Sequence, residues 1–541
     1  MKKKLNYTIP LLFALVVAFG IFVGARFTKP GTAGMSDADP ESLFQEVMMH
    51  INRDYVDQPN TKKLTQAAIE GVLKELDPHS AFIPYEEVKH SNEDLEGNFE
   101  GIGVEFSIVN DTIIVVSPIS GGPSEQLGIR AGDRIVKIEG KKVAGVGFKN
   151  ENVFKSLRGT KGSKVNITIY RPATAKMIDF NITRDKIPIY SVDASYMASP
   201  EVGYIKINRF GGTTTEEYDA AFAKLQKQGM KNLIIDLRGN PGGYLKTAIE
   251  LAEKFIPRGN QILYTQGRAR DKEVYNSRAF GSFDGKVAVM IDEGSASASE
   301  ILSGALQDWD RALVVGRRSF GKGLVQEPFQ LSDGSQLRLT VARYYTPSGR
   351  CIQKSYKNGI EDYYEDFARR NKSGELENKD SIKVIDSLKY STKHGRTVYG
   401  GGGIVPDLFV PLDTTEGSSY LNKLFNKGSF NEFVITYMDA NRAELTGKYK
   451  DFESFNKGFN IDDNIMNEFI KRGEKDGVKK DEKGLKSSGK YMKVLLKADI
   501  ARQLFHNDGY FEVLNSVNTT YLKALEAMKD GTFERMKIVL K

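Results

Sequence analysis

The segment VAVMIDEGSASASEILSGAL, residues 287–306, decides the fold class of this 541-residue chain. It begins with the apolar run Val287–Ile291, which has the length and composition of a β-strand. Small and polar residues follow, and from Ser297 onward apolar residues recur at helical spacing toward Leu306. The segment therefore predicts a strand, a turn and a helix in direct succession.

Strands and helices continue to alternate from Ile187 to about Pro411. Outside the opening segment, the pattern predicts strands at Leu233–Leu237 and Ala312–Val315 and a helix at Leu245–Phe255. Such alternation is typical of an α/β domain built on a parallel sheet. We therefore expect this part of the chain to form an α/β core.

The chain before this core has two different patterns. Residues 37–96 show apolar residues at helical spacing, which predicts helices. From Gly97 to about Arg184 short apolar runs alternate with glycine turns, and only one helix, Asn150–Leu157, is indicated. The predicted strands of this β-rich segment lie at Val104–Phe106, Ile113–Val116, Arg134–Ile138 and Val165–Tyr170.

The chain after the core is mostly helical in pattern and rich in charge, beginning beyond Leu412. Within it, Lys471–Lys490 has the composition of a mobile loop or linker. A second polar stretch, Lys354–Lys383, is predicted to be an insertion in the core.

The N-terminal residues have a pattern typical of protein export. Lys2, Lys3 and Lys4 precede an apolar run of seventeen residues from Ile9 to Ala25. The run is interpreted either as a short membrane anchor, with its lysines in the cytoplasm, or as a signal peptide that is cleaved. Both interpretations place the body of the chain outside the cytoplasm.

The overall charge and the rare metal-binding residues exclude several classes of protein. Lys and Arg number 77 against 70 Asp and Glu, and a net charge of +7 is too weak for a dedicated nucleic-acid binder of this length. Cys351 is the only cysteine, so the chain has neither an internal disulfide nor a cysteine-based zinc site. The five histidines form no HExxH pattern, which argues against a zinc protease.

Ser297 is a candidate nucleophile because it stands at the predicted strand-to-helix turn. Its hydroxyl would lie at the helix N-terminus, where free N–H groups and the helix dipole favour an oxyanion. Its small neighbours Ala296 and Ala298 leave room for a substrate backbone. The competing interpretation is a capping box of Ser297 and Glu300, and the segment alone leaves both open.

A serine nucleophile needs a base, and Lys322 is the candidate. No histidine precedes His394 within the α/β segment, and the GxSxG pattern of many serine hydrolases is absent. A lysine acts as a base near neutral pH only if its pKa falls by roughly 3 units, about 4 kcal/mol. Burial beside Phe320 and Leu324 would lower that pKa, and Gln326 would orient the amine without adding a charge.

The glycine-rich turn around this lysine also has two other interpretations. Residues 316–323 nearly match the phosphate-binding P-loop, but glycine at position 323 lacks the hydroxyl that binds magnesium, and a strand is predicted to follow instead of a helix. Nucleotide binding is therefore excluded, whereas a plain turn with a solvated lysine stays open. The turn Leu237–Gly243 ends another strand and offers a further N–H group for an oxyanion.

Five short sequences occur together in this chain: LDPHS at 76–80, LRGNPGG at 237–243, GSASASE at 294–300, GKGLVQ at 321–326 and YGGGGIVPD at 399–407. Over roughly Glu41–Pro411 the chain thereby resembles the carboxy-terminal processing, or tail-specific, serine proteases. The resemblance implies an α/β crotonase- and ClpP-like peptidase core with an inserted β-rich PDZ domain. With the flanking patterns, the expected protein is multi-domain, with an N-terminal helical segment and a C-terminal mainly helical region.

The resemblance also implies the parts of an active site, with no metal or other cofactor. His79 is expected to be structural, and Gly242 stays an alternative to Gly243. The implied residues are the nucleophile Ser297, the general base Lys322, its orienting residue Gln326, and two N–H donors to the oxyanion at Gly243 and Ala298.

The β-rich segment has a feature of its own that fits a PDZ domain, which binds a peptide C-terminus by adding it as a strand. Gly101, Ile102, Gly103 and Val104 have the composition of a loop that exposes successive N–H groups to a carboxylate. In the resembled family an arginine of the LRGxxG sequence is implicated in coupling this domain to the protease, and here it is Arg158. A β-rich scaffold without a ligand and a plain surface arginine are the alternatives.

The sequence therefore predicts a serine endopeptidase that processes or degrades extracytoplasmic proteins from their C-terminal ends through an acyl-enzyme. It is expected in the bacterial cell envelope, anchored in the inner membrane facing the periplasm or exported to the periplasm, with protein or peptide substrates, no nucleic acid and an open question of homo-oligomerisation. The rivals are a catalytically inactive PDZ scaffold that binds C-termini and a crotonase-like acyl-CoA enzyme.

The predicted domains are the signal peptide or anchor 1–30, the N-terminal helical region 37–96, the PDZ domain 97–186, the peptidase core 187–411 and the C-terminal helical region 412–541.

Overall fold

The computed structural model describes residues 14–20, 40–279 and 282–538, and it divides into two units, Met1–Gly71 and Val72–Lys541. In the first unit, α1 covers residues 14–20 and α2 covers Pro40–Asp54, and α2 buries none of its side chains. Most of the apolar run Ile9–Ala25 lies outside the described residues. None of the helices that are described is long and apolar enough to cross a membrane.

Three further elements precede the β-rich domain: α3 (Thr61–Lys74), β1 (Ala81–Ile83) and α4 (Tyr85–Glu96). The helices predicted between residues 37 and 96 are thus confirmed as α2, α3 and α4. The short strand β1 was not predicted, because three residues are too few to show an alternating pattern. It follows the turn of Asp77 and Pro78, which separates it from α3.

The β-rich domain, residues 98–188, confirms the four predicted strands and the predicted helix. Its elements are β2 (Asn98–Gly101), β3 (Val104–Val109), β4 (Thr112–Pro118), α5 (Pro123–Gln126), β5 (Arg134–Ile138), β6 (Lys141–Lys142), α6 (Asn150–Leu157), β7 (Lys164–Arg171), β8 (Lys176–Thr183) and β9 (Asp185–Pro188). The sheet order is β3-β4-β5-β7-β8, with β6 paired to β5. The strand β3 lies at one end of this sheet, and β2 pairs with β9 where the chain enters and leaves the domain.

The core of the molecule is the predicted α/β domain. Its elements are β10 (Val192–Ser199), β11 (Val202–Ile207), α7 (Thr214–Lys227), β12 (Asn232–Asp236), α8 (Leu245–Glu253), β13 (Gln261–Gln266), β14 (Glu273–Asn276), β15 (Val287–Ile291), α9 (Ala298–Asp308), β16 (Leu313–Gly316), β17 (Leu324–Gln330), β18 (Gln336–Tyr345), α10 (Ile360–Tyr364), α11 (Asp366–Lys372), β19 (Lys389–Ser391), β20 (Thr397–Tyr399) and β21 (Leu408–Phe409). The main sheet has the order β10-β11-β12-β15-β16-β21. Its strands are parallel except for β10, so the predicted parallel sheet is confirmed.

The central strand β15 shows why its sequence is apolar at every position. Val287, Val289 and Ile291 belong to the hydrophobic cluster under α7, α8 and α9, whereas Ala288 and Met290 belong to the cluster on the opposite face. All five side chains are fully buried. A parallel strand covered on both faces requires such a continuous apolar run.

A second sheet lies beside the main one and was not predicted as a unit. Strand β18 pairs with β1, β13 and β17, and β13 pairs with β14. All of these pairings are antiparallel, and the pairings of β18 with β1 and β13 join residues far apart in sequence. Residues 319–323 lead into β17, so this sheet positions the loop that carries Lys322.

The C-terminal region is helical, as predicted, but its polar stretch Lys471–Lys490 is not a mobile loop. The elements are α12 (Ser419–Asn426), α13 (Ser429–Lys448), α14 (Phe452–Gly458), α15 (Asp463–Lys475), α16 (Glu482–Asn515), α17 (Thr519–Ala527) and α18 (Thr532–Arg535). Lys471 lies within α15 and Lys475 ends it, and α16 buries Gly484, Ser488 and Met492 at intervals of four residues. The prediction was wrong because composition counts the exposed lysines and ignores this buried helical stripe.

The polar insertion Lys354–Lys383 is likewise folded, and it contains α10 and α11. Arg370 on α11 is buried and donates to the main-chain oxygen of Ser319 at 2.7 Å. The N–H group of Lys354 donates to the main-chain oxygen of Gly321 at 2.9 Å. The insertion therefore supports the outer side of the loop that carries Lys322.

Candidate active site

Ser297 stands at the junction of β15 and α9, where the sequence predicted it. Its backbone has φ 54° and ψ −113°, a left-handed conformation that costs a non-glycine residue on the order of 1–3 kcal/mol. An ordinary residue at a helix N-cap is extended instead. The capping box of Ser297 and Glu300 that the sequence left open is present. Strain of this kind concentrates at functional sites, so a helix cap alone does not explain the conformation of Ser297.

Two glycines pack closely here, Gly242 against the turn of Ser297 and Gly243 against Phe210. A Cβ atom on Gly242 would lie 2.8 Å from the Cβ atom of Ser297, and a Cβ atom on Gly243 would lie 2.0 Å from the main-chain oxygen of Phe210. Both positions also have positive φ angles, 98° and 149°. The pair of glycines in LRGNPGG is therefore required by close packing as well as by backbone conformation.

The buried residue Asn240 connects the glycine turn to the serine turn. Its Oδ1 atom accepts the N–H of Gly242 at 2.8 Å, and its main-chain oxygen accepts the N–H of Ala296 and the hydroxyl of Ser299, each at 3.0 Å. Among the described residues, no hydrogen bond takes the N–H of Gly243. Of the two glycines that the sequence left open, Gly243 is thus the one with an N–H available to a ligand.

A single buried carboxylate connects the serine turn to the lysine loop. Glu300 accepts the N–H groups of Ser297 at 2.8 Å, Gly321 at 2.7 Å and Lys322 at 2.8 Å, together with the hydroxyl of Ser319. Burial raises the pKa of Glu300, and these four donors oppose the rise by stabilising the ionised form. The main chains of both candidate catalytic residues are therefore held by one side chain.

The pKa of Lys322 is shifted in the direction that a lysine base requires. Burial, and then the charge of Arg338, lower the pKa of Lys322, while Glu300 and Asp77 act in the opposite direction. Leu324 beside it is buried, as expected for a dry pocket. Among the described residues, Lys322 forms no ion pair, so its amine is not held charged by a contacting carboxylate.

The remaining N–H groups of the lysine loop are also bound. Gly323 donates to Oε1 of Gln353 at 2.8 Å, and Ser319 donates to the main-chain oxygen of Ile404 at 3.0 Å. A Cβ atom on Gly403 would lie 2.7 Å from the main-chain oxygen of Ser319. The sequence YGGGGIVPD thus has a packing role, because its glycines let the main chain approach the lysine loop.

The candidate catalytic residues lie along one open groove of about 1370 Å³. It lies between the turn at the start of α8, the hairpin of β13 and β14, and the strands β17 and β18. The candidate catalytic residues that line it are Ser297, Lys322, Gln326, Gly242 and Gly243. Ala298, the first residue of α9, has a fully buried side chain.

His79 lies behind Lys322 and is bound within the protein. The Nε2 atom of its ring is 2.9 Å from the hydroxyl of Tyr363, and its main-chain N–H donates to Asp77 at 2.8 Å. Burial, and then the charge of Lys322, lower the pKa of His79 to about 4. At neutral pH it is therefore an uncharged neighbour of the lysine.

Gln326 has a partner that the sequence did not indicate. Its Nε2 atom donates to the hydroxyl of Thr340 at 3.1 Å, and that hydroxyl donates to Asp77 at 3.0 Å. Sequence reasoning missed Asn240, Asp77 and Thr340 as site residues. The signal for the first two was their place in LRGNPGG and LDPHS, whereas Thr340 carries no local signal.

The candidate carboxylate loop lies in the β-rich domain. Gly101 ends β2, Gly103 has a φ angle of 73°, and Val104 begins the end strand β3. Ile102 is buried, and its main-chain oxygen accepts both the N–H and the hydroxyl of Ser124. These two hydrogen bonds from Ser124 therefore fix the loop through the carbonyl group of Ile102.

Arg158 is not a plain surface arginine. Its guanidinium pairs with Glu93 on α4 at 2.5 Å and lies over the rings of Phe99 and Phe154, 4.7 and 5.2 Å from their centroids. Phe154 belongs to α6 and also contacts the ring of Phe106 on β3. Arg158 does not line the groove of Ser297, but it links the face between β3 and α6 to the helix α4.

Comparison with known proteins places family models on three segments of the chain. The model of peptidase family S41 matches residues 201–365, the model of the PDZ domain matches residues 101–183, and a family of unknown function, DUF8443, matches residues 420–507.

Individual relatives extend this similarity over most of the chain. The carboxy-terminal processing protease CtpB of Bacillus subtilis is 34% identical over 83% of this chain and 92% of its own length. A probable CtpA-like serine protease of Staphylococcus aureus is 34% identical over 82% of this chain and 85% of its own length. Among solved structures, a photosystem II D1 C-terminal processing protease is 27% identical, covering 69% of this chain and 94% of that one, with a TM-score of 0.35.

Replacing Glu300 with glutamine tests the connection between the serine turn and the lysine loop. The amide would turn a donor toward groups that are themselves donors, so the loop should shift. We expect labelling of Ser297 by a fluorophosphonate probe to slow by roughly 10–100-fold, because small misplacements of reacting groups cost that much. The measurement is the labelling rate, with thermal unfolding as a check of the fold.

The matched control is Glu293→Gln, which changes a carboxylate of the same turn that pairs with Arg317. It should label at close to the wild-type rate. A Glu300→Gln protein that labels as fast as this control would contradict the assigned connection.

Proposed function

This chain belongs to the carboxy-terminal processing proteases of peptidase family S41 and is a serine-type peptidase, and on that premise we propose that it cuts proteins selected by their free C-termini, with Ser297 as nucleophile and neutral Lys322 as general base. The observation that carries the proposal is the place of Lys322, half-buried in the same groove as Ser297, with a lowered pKa and no contacting carboxylate among the described residues. A half-buried lysine with a lowered pKa is suited to accept a proton.

The proposed reaction has two halves. The Oγ atom of Ser297 attacks the scissile carbonyl carbon while its proton passes to the Nζ atom of Lys322. The resulting ammonium then gives the proton to the leaving amine as the C–N bond breaks, which leaves an acyl-enzyme ester. In the second half Lys322 takes a proton from water, the hydroxide attacks the ester, and the proton returns to Ser297.

The oxyanion of each tetrahedral intermediate needs donors placed before the reaction. We assign this role to the N–H groups of Gly243 and Ala298. Gly243 is supported by its available N–H, since that of Gly242 is bound by Asn240. Ala298 is supported by its position at the first turn of α9, where N–H groups have no partner within the helix.

His79 is not proposed as the base, although it lies near Lys322. Its Nε2 atom is occupied by Tyr363, and burial disfavours its charged form. A protonated His79 would also repel the ammonium that forms on Lys322. Its proposed role is to fill the space behind the lysine and exclude water from it.

Substrate selection is proposed to occur in the PDZ domain. A peptide would add as a strand beside β3, whose outer edge is unpaired among the described residues, and its carboxylate would meet the N–H groups of Gly101–Val104. Side chains of such a peptide would contact Phe106 and Phe154, and Phe154 supports Arg158. Occupation of this face is therefore proposed to act on the ion pair of Arg158 with Glu93.

The substrates are proposed to be extracytoplasmic. This part rests on the apolar run Ile9–Ala25 behind Lys2, Lys3 and Lys4, as the sequence analysis interprets it. The proposed mechanism uses only groups of the chain and water. A crotonase-like acyl-CoA enzyme would not need a PDZ domain, and an inactive scaffold would not need the strained Ser297.

The catalytic pair is tested with Ser297→Ala and Lys322→Arg. Both should lower kcat by at least roughly 10³-fold while the fold is kept. Ser297→Ala removes the nucleophile, and the guanidinium of Lys322→Arg stays protonated and cannot act as a base. In the wild type, kcat/KM should rise with pH through the lowered pKa of Lys322, since the base works only when unprotonated. Hydrolysis of an unfolded model protein across pH is the measurement.

Two control variants separate this account from its rivals. Lys354→Arg changes a buried lysine that pairs with Asp366, and it should keep most of the activity. His79→Ala should keep the same rise with pH. A Lys322→Arg enzyme with wild-type turnover would refute the lysine base, and loss of the pH limb in a folded His79→Ala enzyme would transfer that role to His79.

Tail recognition is tested with paired substrates that end in a free acid or an amide. The charged carboxylate makes the stronger hydrogen bonds, so the amide should be cut more slowly at low concentration. Arg158→Ala should slow cleavage of the free-acid peptide and leave fluorophosphonate labelling of Ser297 unchanged. Equal rates for acid and amide at every concentration would mean that the PDZ domain does not read the carboxylate.

A further inference from the structure

We propose that Asp77 and Thr340 are positioning residues that fix the side-chain amide of Gln326 so that its carbonyl oxygen faces the amine of Lys322. This inference rests on the proposed role of Lys322 as base and adds two residues to the machinery that presents it. The three side chains come from the turn after α3, from β18 and from β17, so only the fold brings them together.

The direction of each hydrogen bond follows from the chemistry of the groups. Asp77 is an acceptor when ionised, and the hydroxyl of Thr340 donates its single hydrogen to Oδ1 of Asp77 at 3.0 Å. That hydroxyl therefore has only lone pairs left for Gln326. The amide must turn its NH2 group toward Thr340, which it does at 3.1 Å, and this leaves Oε1 to accept from another donor.

Asp77 is itself held in place by four donors. Its Oδ1 atom accepts the N–H groups of His79 and Ser80 at 2.8 and 3.0 Å in addition to Thr340, and its Oδ2 atom accepts the hydroxyl of Ser80 at 2.6 Å. The hydroxyl of Ser80 also receives the N–H of Thr340 at 3.1 Å. Asp77 is only 7% exposed, so this small network is closed and leaves little freedom for Thr340.

A β-bulge places Thr340 opposite Gln326. Val325 pairs with Ala342, whereas the next residue, Gln326, pairs with Thr340, so Val341 is skipped in the register of β17 and β18. In a regular ladder Val341 would stand opposite Gln326 and offer no hydrogen bond. Bulges next to active sites commonly redirect a side chain in this way.

The orientation matters because an amine can accept or donate. With Oε1 toward Lys322, the amide accepts a hydrogen from the amine, which leaves the nitrogen lone pair for the proton of Ser297. With the amide reversed, NH2 would donate to that lone pair and compete with the serine. A neutral amide also holds the lysine without the charge of a carboxylate, which would raise its pKa.

The test compares Thr340→Val, which removes the hydroxyl at nearly constant volume, with Thr340→Ser, which keeps it. Thr340→Val should lower kcat roughly 10–100-fold with little change in KM, and Thr340→Ser should stay within a few-fold of wild type. Each variant is combined with Gln326→Ala. If Thr340 acts through Gln326, Thr340→Val should cost no further activity in the Gln326→Ala background.

Two results would overturn this inference alone: wild-type kcat for Thr340→Val beside an impaired Gln326→Ala, or the same fold loss from Thr340→Val in both backgrounds. The second would make Thr340 merely structural, and thermal unfolding of every variant identifies a loss of fold. Wild-type turnover of Lys322→Arg would instead refute the proposed function, and this inference with it.

Discussion

The architecture of the site depends on one buried carboxylate. Glu300 accepts the main-chain N–H groups of Ser297, Gly321 and Lys322, and so joins the start of α9 to the loop before β17. A carboxylate without such donors would be costly to bury, and N–H groups of a loop without an acceptor would be costly as well. The carboxylate and these N–H groups therefore depend on each other for hydrogen-bond partners. As a result, the two candidate catalytic residues, which stand on different elements, are held at a fixed position relative to each other.

The two carboxylates near Lys322 oppose the lowered pKa that a lysine base needs. The charges of Glu300 and Asp77 raise the pKa of Lys322, whereas a base needs it lowered. Both carboxylates direct their oxygens to N–H and hydroxyl donors, and neither contacts the lysine amine in an ion pair among the described residues. Burial and the guanidinium of Arg338 then outweigh them, so the net effect is a lowered pKa. The neutral amide of Gln326 fits the same requirement.

The sequence was sufficient where the signal is local. The apolar run Val287–Ile291 predicts a strand covered on both faces because all five of its residues are apolar. The family resemblance indicates Ser297 and Lys322 as the candidate catalytic residues. The sequence failed where contacts are distant: Thr340 bonds to Asp77, 263 residues away, and its place opposite Gln326 depends on a bulge that no local pattern reveals. The choice between the two glycines of the turn depends on which N–H group an asparagine side chain takes. Composition misled for residues 471–490, where lysines cover the outer face of well-packed helices.

The central claim is that Lys322 is neutral at the pH where the enzyme works, and a direct titration of this side chain tests it. The protein is labelled with lysine carrying ¹³C at the ε position, and the signal of Lys322 is identified as the one missing from Lys322→Arg. Its chemical shift is followed with pH in the Ser297→Ala protein, which prevents self-digestion. The account predicts a midpoint below the ordinary lysine value of 10.5. A midpoint at or above that value would mean that the amine stays charged in the groove, and the lysine-base account would be wrong.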